Sequence, residues 1–166
     1  MKLLIPVALS ALIGGCSGVI AGDRHATVIS VTDGDTFLVE MDGTKKRVRL
    51  CGVDAPELGQ TGGEEAKAKL MQWIRPGTRV ALDIVETDRY GRLIAEAWIP
   101  MEPPEIFLQE EMLKSGAAWV YPQYVGSCPN SRIMRRAEAI ARENRRGVWE
   151  NPSQIRPWEW RRLKMD

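Results

Sequence analysis

The chain is expected to fold as an α+β protein, mainly a five-stranded β barrel capped by three helices. Two observations predict this. β-prone runs arrive as three and then two with one helical pattern between them, and helical periodicity takes over after Pro103-Pro104. At 166 residues, with an N-terminal part that reads as removable, there is room for one domain and one hydrophobic core. A composition of 44% hydrophobic and 27% charged residues excludes a disordered chain and a membrane-spanning one beyond its N-terminus, while the net charge of +1 decides nothing.

Residues 1–15 have the order of a signal peptide: Met1-Lys2 is a minimal positive start, Leu3 to Ile13 is apolar, and Gly14-Gly15 precede Cys16. The apolar run is too short to span a bilayer as a helix of about 20 residues. Ile13-Gly14-Gly15-Cys16 resembles the bacterial lipobox, in which the cysteine is lipidated and becomes the mature N-terminus. The expectation is an exported protein held on a membrane through a lipid on Cys16, facing the periplasm or the cell exterior, with Ser17 resembling the outer-membrane sorting pattern; otherwise it is secreted free. Residues 16–24 would be a tether, 25–150 the folded domain, and 151–166 a Pro/Trp-rich tail.

Val28, Ile29 and Val31 mark the first strand, Asp33-Gly34 breaks it, and Thr36 to Val39 follows, which reads as a hairpin or tight connection. Asp42-Gly43 signals the next turn, before Lys45 to Leu50, where Val48 and Leu50 alternate with charge. Thr61 stands three residues before Glu64, a capping-box spacing, and Ala66, Leu70, Trp73 and Ile74 recur on one helical face that should end at Arg75-Pro76-Gly77. Thr78 to Val85 and Leu93 to Ile99 are the last two strands, joined through Tyr90-Gly91. Leu108, Met112 and Leu113 place a second helix closing near Gly116; Ile133, Ala137, Ile140 and Ala141 place a third over about 131–146. The tail is expected to be an irregular strap laid back on the domain, its tryptophans packed there rather than stacked on bases.

With Cys16 at the cleavage point, Cys51 and Cys128 remain, and in an oxidising compartment they form one disulfide or stay as two buried thiols. His25, the only histidine, is expected on the surface at the start of the first strand, away from any thiol. From Ser131 onward ten Arg and Lys face five Asp and Glu, a basic end suited to a polyanion or simply a solvated helix face.

Chemistry concentrates in three short segments: Thr32-Asp33-Gly34-Asp35-Thr36, Arg49 to Glu57, and Thr87-Asp88-Arg89-Tyr90-Gly91-Arg92. Asp-Gly alone is turn language, but Pro56 stiffens a corner from which Asp54 and Glu57 would project. Three carboxylates need a cation, and without His or Cys among them the donors favour Ca2+ or Mg2+ over zinc. Asp35 and Asp54 are the expected metal ligands, with the Ala55 carbonyl and water completing the shell; Glu57 is left to orient or deprotonate an attacking water. Arg49 and Arg92 offer planar forks for a phosphate whose charge grows during attack. The set points to a phosphodiesterase.

These segments, in this order, resemble the staphylococcal-nuclease (thermonuclease) family from about Ala26 to Trp149. The resemblance implies an OB-fold barrel with three helices and a Ca2+-dependent endonuclease acting on DNA and RNA, leaving 3'-phosphate ends. By the same resemblance Asp35 and Asp54 match the calcium ligands, Arg49 and Arg92 the phosphate-binding arginines, and Glu57 the general base. Ala55 stands where the best-known member has Thr, a change that spares a backbone ligand. Arg89 and Tyr90 fall on a Lys-Tyr pair that contacts a terminal phosphate, and Tyr121, with Tyr124 close behind, on a base-stacking tyrosine. Gln109 replaces an Asn of structural importance. The protein is expected to act as a monomer on nucleic acid; the competing expectation is an OB-fold that binds nucleic acid or protein without chemistry.

Overall fold

The computed structural model describes residues 24–100 and 105–164. The signal segment, Cys16 and nearly all of the tether lie outside the described residues, as does Pro103-Pro104.

Five long strands close a barrel: β1 (Arg24–Val31), β2 (Thr36–Met41), β3 (Thr44–Leu50), then, after the two-residue β4 (Val53–Asp54) and helix α1 (Gly63–Trp73), β5 (Arg79–Thr87) and β6 (Leu93–Ile99). Antiparallel pairing runs β3-β2-β1-β5-β6, and a parallel seam of β3 on β6 shuts the cylinder, with Val48 opposite Leu93 and Arg49 opposite Ile94. Closure removes the exposed edges of a flat sheet. Strand alternation is plain in β2, where Phe37, Val39 and Met41 are buried and Glu40 is exposed. Asp42 and Gly43 both have positive φ, as a two-residue hairpin turn requires, so Thr44 pairs directly with Met41.

The second half adds β7 (Ile106–Phe107), α2 (Leu108–Lys114), β8 (Trp119–Val120), α3 (Ser131–Glu143) and α4 (Pro157–Leu163). β8 pairs antiparallel with β4, Trp119 opposite Asp54. The core joins Phe37, Leu50 and Leu82 of the barrel to Leu70, Leu108, Met112, Leu113 and Met134 of the helices. Gln109 is fully buried and acts as a clamp. Its Oε1 accepts the Ala97 N–H at 3.1 Å and its Nε2 donates to the Ala95 carbonyl at 3.0 Å, fixing α2 to β6. Glu96, also fully buried, accepts the Asn130 N–H at 2.7 Å and the Asn130 amide at 2.6 Å, so β6 anchors the start of α3 as well. Cys51 and Cys128 are joined in a disulfide that ties the end of β3 to the approach to α3.

Three expectations need correction. α1 is not capped by Thr61: its N-cap is Gly62 in the left-handed region, without a side-chain bond, and Gly63 opens the helix. A Cβ on Gly63 would collide with the Glu57 carbonyl, so close backbone packing sets this helix start. Gly34 lies in the tight β1–β2 connection, as expected, without a positive φ; a Cβ there would lie 2.7 Å from the Cβ atoms of Ala55 and Ala66, so close packing requires the glycine. The buried face of α3 is Met134, Ala137 and Ala141, whereas Ile133 is exposed. The tail is not wholly irregular: Pro157, with its fixed φ, opens a fourth helix, and Glu159 accepts the Arg156 N–H at 3.2 Å.

Candidate active site

The site forms where the barrel seam meets the corner that follows β3. Arg49 lies on the face of β3 opposite the core residues Val48 and Leu50, and its guanidinium forks between two acids. Nη1 donates to Asp35 Oδ1 and Nη2 to Asp54 Oδ1, both at 2.6 Å. Asp35 sits just before β2 and is held at every oxygen: Thr36 Oγ1 donates to Oδ1 at 2.9 Å and the Ala55 N–H donates to Oδ2 at 2.9 Å. Asp54 is fully buried at the end of β4, where the pairing with β8 fixes it. Asp35, Arg49, Asp54 and Ala55 are thus one hydrogen-bonded cluster, drawn from segments up to 20 residues apart.

Burial pushes the Asp54 carboxyl above the ordinary aspartate range, aided by the neighbouring Asp35 charge and opposed by Arg161 and Arg49. Burial and the Asp35 charge likewise push Asp33 up to about 6. The Arg49 guanidinium, which burial alone would weaken, is held above its usual value by Asp35 and Asp54. Displaced carboxylates around a fixed guanidinium make this cluster the candidate site.

Arg161, on α4, completes the cluster and was not anticipated. Its Nη2 donates to Asp54 Oδ2 at 2.7 Å, and its Nη1 reaches Asp54 Oδ1 at 3.1 Å and Glu57 Oε1 at 2.7 Å. Against burial, the bonds to Asp54 and Glu57 hold this guanidinium far above its ordinary value. Beside it the Trp158 ring stacks on Tyr121, centroids 5.4 Å apart and planes 6° from parallel, while Tyr124 meets the same Tyr121 edge-on at 4.7 Å. The sequence signal for this helix was local: Pro157 followed by Glu159 is a helix-start pattern inside what otherwise reads as a strap.

Arg92 is not joined to the cluster. Its Nε and Nη2 both reach Asp88 Oδ2 at 2.7 Å, and Asp88 Oδ1 accepts the N–H groups of Tyr90 and Arg92. Despite some cost of burial, these bonds hold the Asp88 carboxyl below its usual range. Arg89 and Arg92 lie against the Tyr90 ring at 4.8 and 5.5 Å, and Tyr90 is 59% exposed on this turn.

Among the described residues no group of three or more His, Cys, Asp or Glu side chains is spaced to hold a metal ion by itself. The donors that do meet are all oxygen: Asp35 and Asp54 share one guanidinium, and Asp54 Oδ2 is held by Arg161. All-oxygen donors suit a hard divalent ion that keeps much of its water better than zinc, and here the guanidinium groups of Arg49 and Arg161 occupy them.

The family profile described as Staphylococcal nuclease homologue matches residues 47–151, which hold Arg49, Asp54, Glu57, Arg89, Arg92 and Tyr121. The chain is 37% identical over 145 residues to the Escherichia coli Protein ParB, covering 84% of this chain and 80% of that one. It is 35% identical over 147 residues to an Uncharacterized endonuclease of Escherichia coli O157:H7, covering 88% and 90%. Against a Micrococcal nuclease of Shigella flexneri it is 34% identical over 145 residues, covering 84% and 82%. A barrel seam that presents Arg49 to Asp35 and Asp54 therefore occurs in a chain that belongs to the staphylococcal nuclease homologue family.

Proposed function

We propose that the protein is a Ca2+-dependent endonuclease that hydrolyses phosphodiester bonds of DNA and RNA and leaves 3'-phosphate ends. The observation that carries this is the meeting of Asp35, Arg49 and Asp54 in one ion-paired cluster beside Glu57. Two acids and a fork of donors are what a phosphodiester needs. Family membership and the relatives named as nucleases support the same reading.

Asp35, Asp54 and the Ala55 carbonyl would hold the Ca2+, which neutralises charge on a phosphate oxygen. Glu57 takes a proton from water as the water oxygen bonds to phosphorus. The bond from phosphorus to the 5' oxygen then breaks, the 5' oxygen takes up a proton from solvent water, and the phosphate stays on the 3' side. Arg49 binds the charge that gathers on the equatorial oxygens, and Arg92 joins it by exchanging Asp88 for phosphate. Arg89 and Tyr90 hold the end of the strand and Tyr121 stacks on a base. An exported location suits this chemistry because extracellular calcium fills weak, hydrated sites. A lipid on Cys16 would keep the enzyme on the membrane as a monomer.

The test is cleavage of single- and double-stranded DNA and of RNA by the purified protein in Ca2+, against a chelator, Arg49→Ala and Arg92→Ala. Cutting that needs Ca2+ and falls about a thousandfold in either variant supports the reading. Folded protein that binds nucleic acid but cuts none in Ca2+ or Mg2+ replaces it with a binding module.

A further inference from the structure

The tail is attached to the body in a way that an ordinary strap would not be. Of α4 Pro157 is buried, Trp158 and Trp160 are half-buried, and Leu163 is 63% exposed, so a modest apolar area holds the helix down. Polar contacts complete its hold. Ile155 accepts a hydrogen bond from the Gln60 amide, the Gln154 amide donates to the Thr61 carbonyl at 2.9 Å, and Arg161 grips Asp54 and Glu57.

Two independent contacts of α4 fall on places that substrate and metal would use. Arg161 puts a fixed positive charge on both oxygens of Asp54 and one of Glu57, the seat of a divalent ion and its attacking water in the reading above. Trp158 lies flat on Tyr121, as a nucleobase would. One seven-residue helix thus imitates a cation and a base at once. A second cation touching Asp54 would be repelled by the first, and a base cannot enter a stack already filled.

We propose that α4 is an internal occupant of the active cleft, competing through Arg161 with the divalent ion and through Trp158 with a substrate base. The proposal rests on the nuclease reading of the site. The Arg161 side chain is 36% exposed but Asp54 is fully buried, so the pair is stronger than a surface one. Release requires an ion to replace the guanidinium, Arg49 stays on Asp54, and a helix of seven residues has no stability of its own once lifted. Residues 151–156 join the helix to the body, and lifting α4 also requires the Gln60–Ile155 and Gln154–Thr61 bonds to open. The ion and the nucleic acid then bind a form in which the cap is off, and their apparent affinities fall by the fraction of molecules that are open.

The experiment compares full-length wild type, Arg161→Gln and Trp158→Ala, each checked for folding by its thermal melt. Calorimetry gives the Ca2+ affinity, and amide exchange of residues 158–163 is followed with and without Ca2+ and a short single-stranded DNA. A roughly tenfold tighter Ca2+ affinity in Arg161→Gln, a smaller gain in Trp158→Ala, and loss of α4 protection in wild type as ligand saturates are expected. Unchanged or weaker Ca2+ affinity in both variants, with α4 still protected at saturation, overturns the cap and makes Arg161 a residue that positions Asp54 and Glu57. Absence of Ca2+ binding by all three proteins also overturns it. A parallel cleavage assay separates the two readings: if no protein cuts but the variants still bind Ca2+ more tightly, the nuclease reading fails and the cap stands.

Discussion

At the level of single residues the decisive feature is that Arg49 serves two acids at once. Arg49→Lys keeps the charge and loses the planar fork, so cleavage should fall on the order of a hundredfold or more, read as single-turnover rate with Ca2+ saturating. Glu138 gives a pH prediction away from the site. It accepts the Val120 N–H at 2.7 Å, and burial raises its carboxyl above the ordinary value despite that bond and nearby arginines. A raised acid costs stability as pH climbs from its unfolded value of about 4.5 through its folded one and costs nothing when both states are protonated. Glu138→Gln should therefore melt higher than wild type at pH 7 to 8, with the advantage gone below about pH 4; the opposite trend would refute it. Asp35, Arg49, Asp54 and Glu57, which the sequence singles out by their chemistry and spacing, are brought together by the fold. Arg161 is not singled out in that way, because nothing local tells one arginine in a basic tail from the next.

At the level of elements, the joints between barrel and helices carry the strain of substitution. Gln109→Leu would bury the Ala97 N–H and the Ala95 carbonyl without partners, a cost of about 3 kcal/mol and a melting point lower by roughly 10 °C. A melt within a degree or two of wild type would show the clamp to be dispensable. Gly34→Ala forces a methyl against Ala55 and Ala66, so α1 and the acid corner must part; about 1 to 3 kcal/mol and a weakened Ca2+ affinity are expected, by denaturant titration and calorimetry. Strand positions were readable because period-two patterning reports which face is buried. The start of α1 was misread because a capping-box spacing describes the local chain, whereas Gly63 answers to the Glu57 carbonyl that only the fold brings near. The exposed Ile133 on α3 shows the same limit: Met134 fits the core better, which helical periodicity alone does not rank.

At the level of the molecule, one covalent link and one short helix govern how the parts hold together. The disulfide spans 77 positions, and replacing both Cys51 and Cys128 by Ala should cost roughly 4 kcal/mol of unfolding free energy, with the site chemistry retained under native conditions. Equal stability of the two forms would mean that the reduced chain is already held by the core around α3. The sequence by itself determined the class of fold and the order of the five long strands and first three helices, and it singled out Asp35, Arg49 and Asp54, because periodicity and residue chemistry are local properties. Only the tertiary structure decided which of these groups meet: the parallel seam of β3 on β6, the pairing of Arg92 with Asp88 away from the acids, and the seat of α4 on Asp54 and Tyr121. Contacts between residues more than 100 positions apart depend on how closed surfaces pack, and no local pattern encodes them.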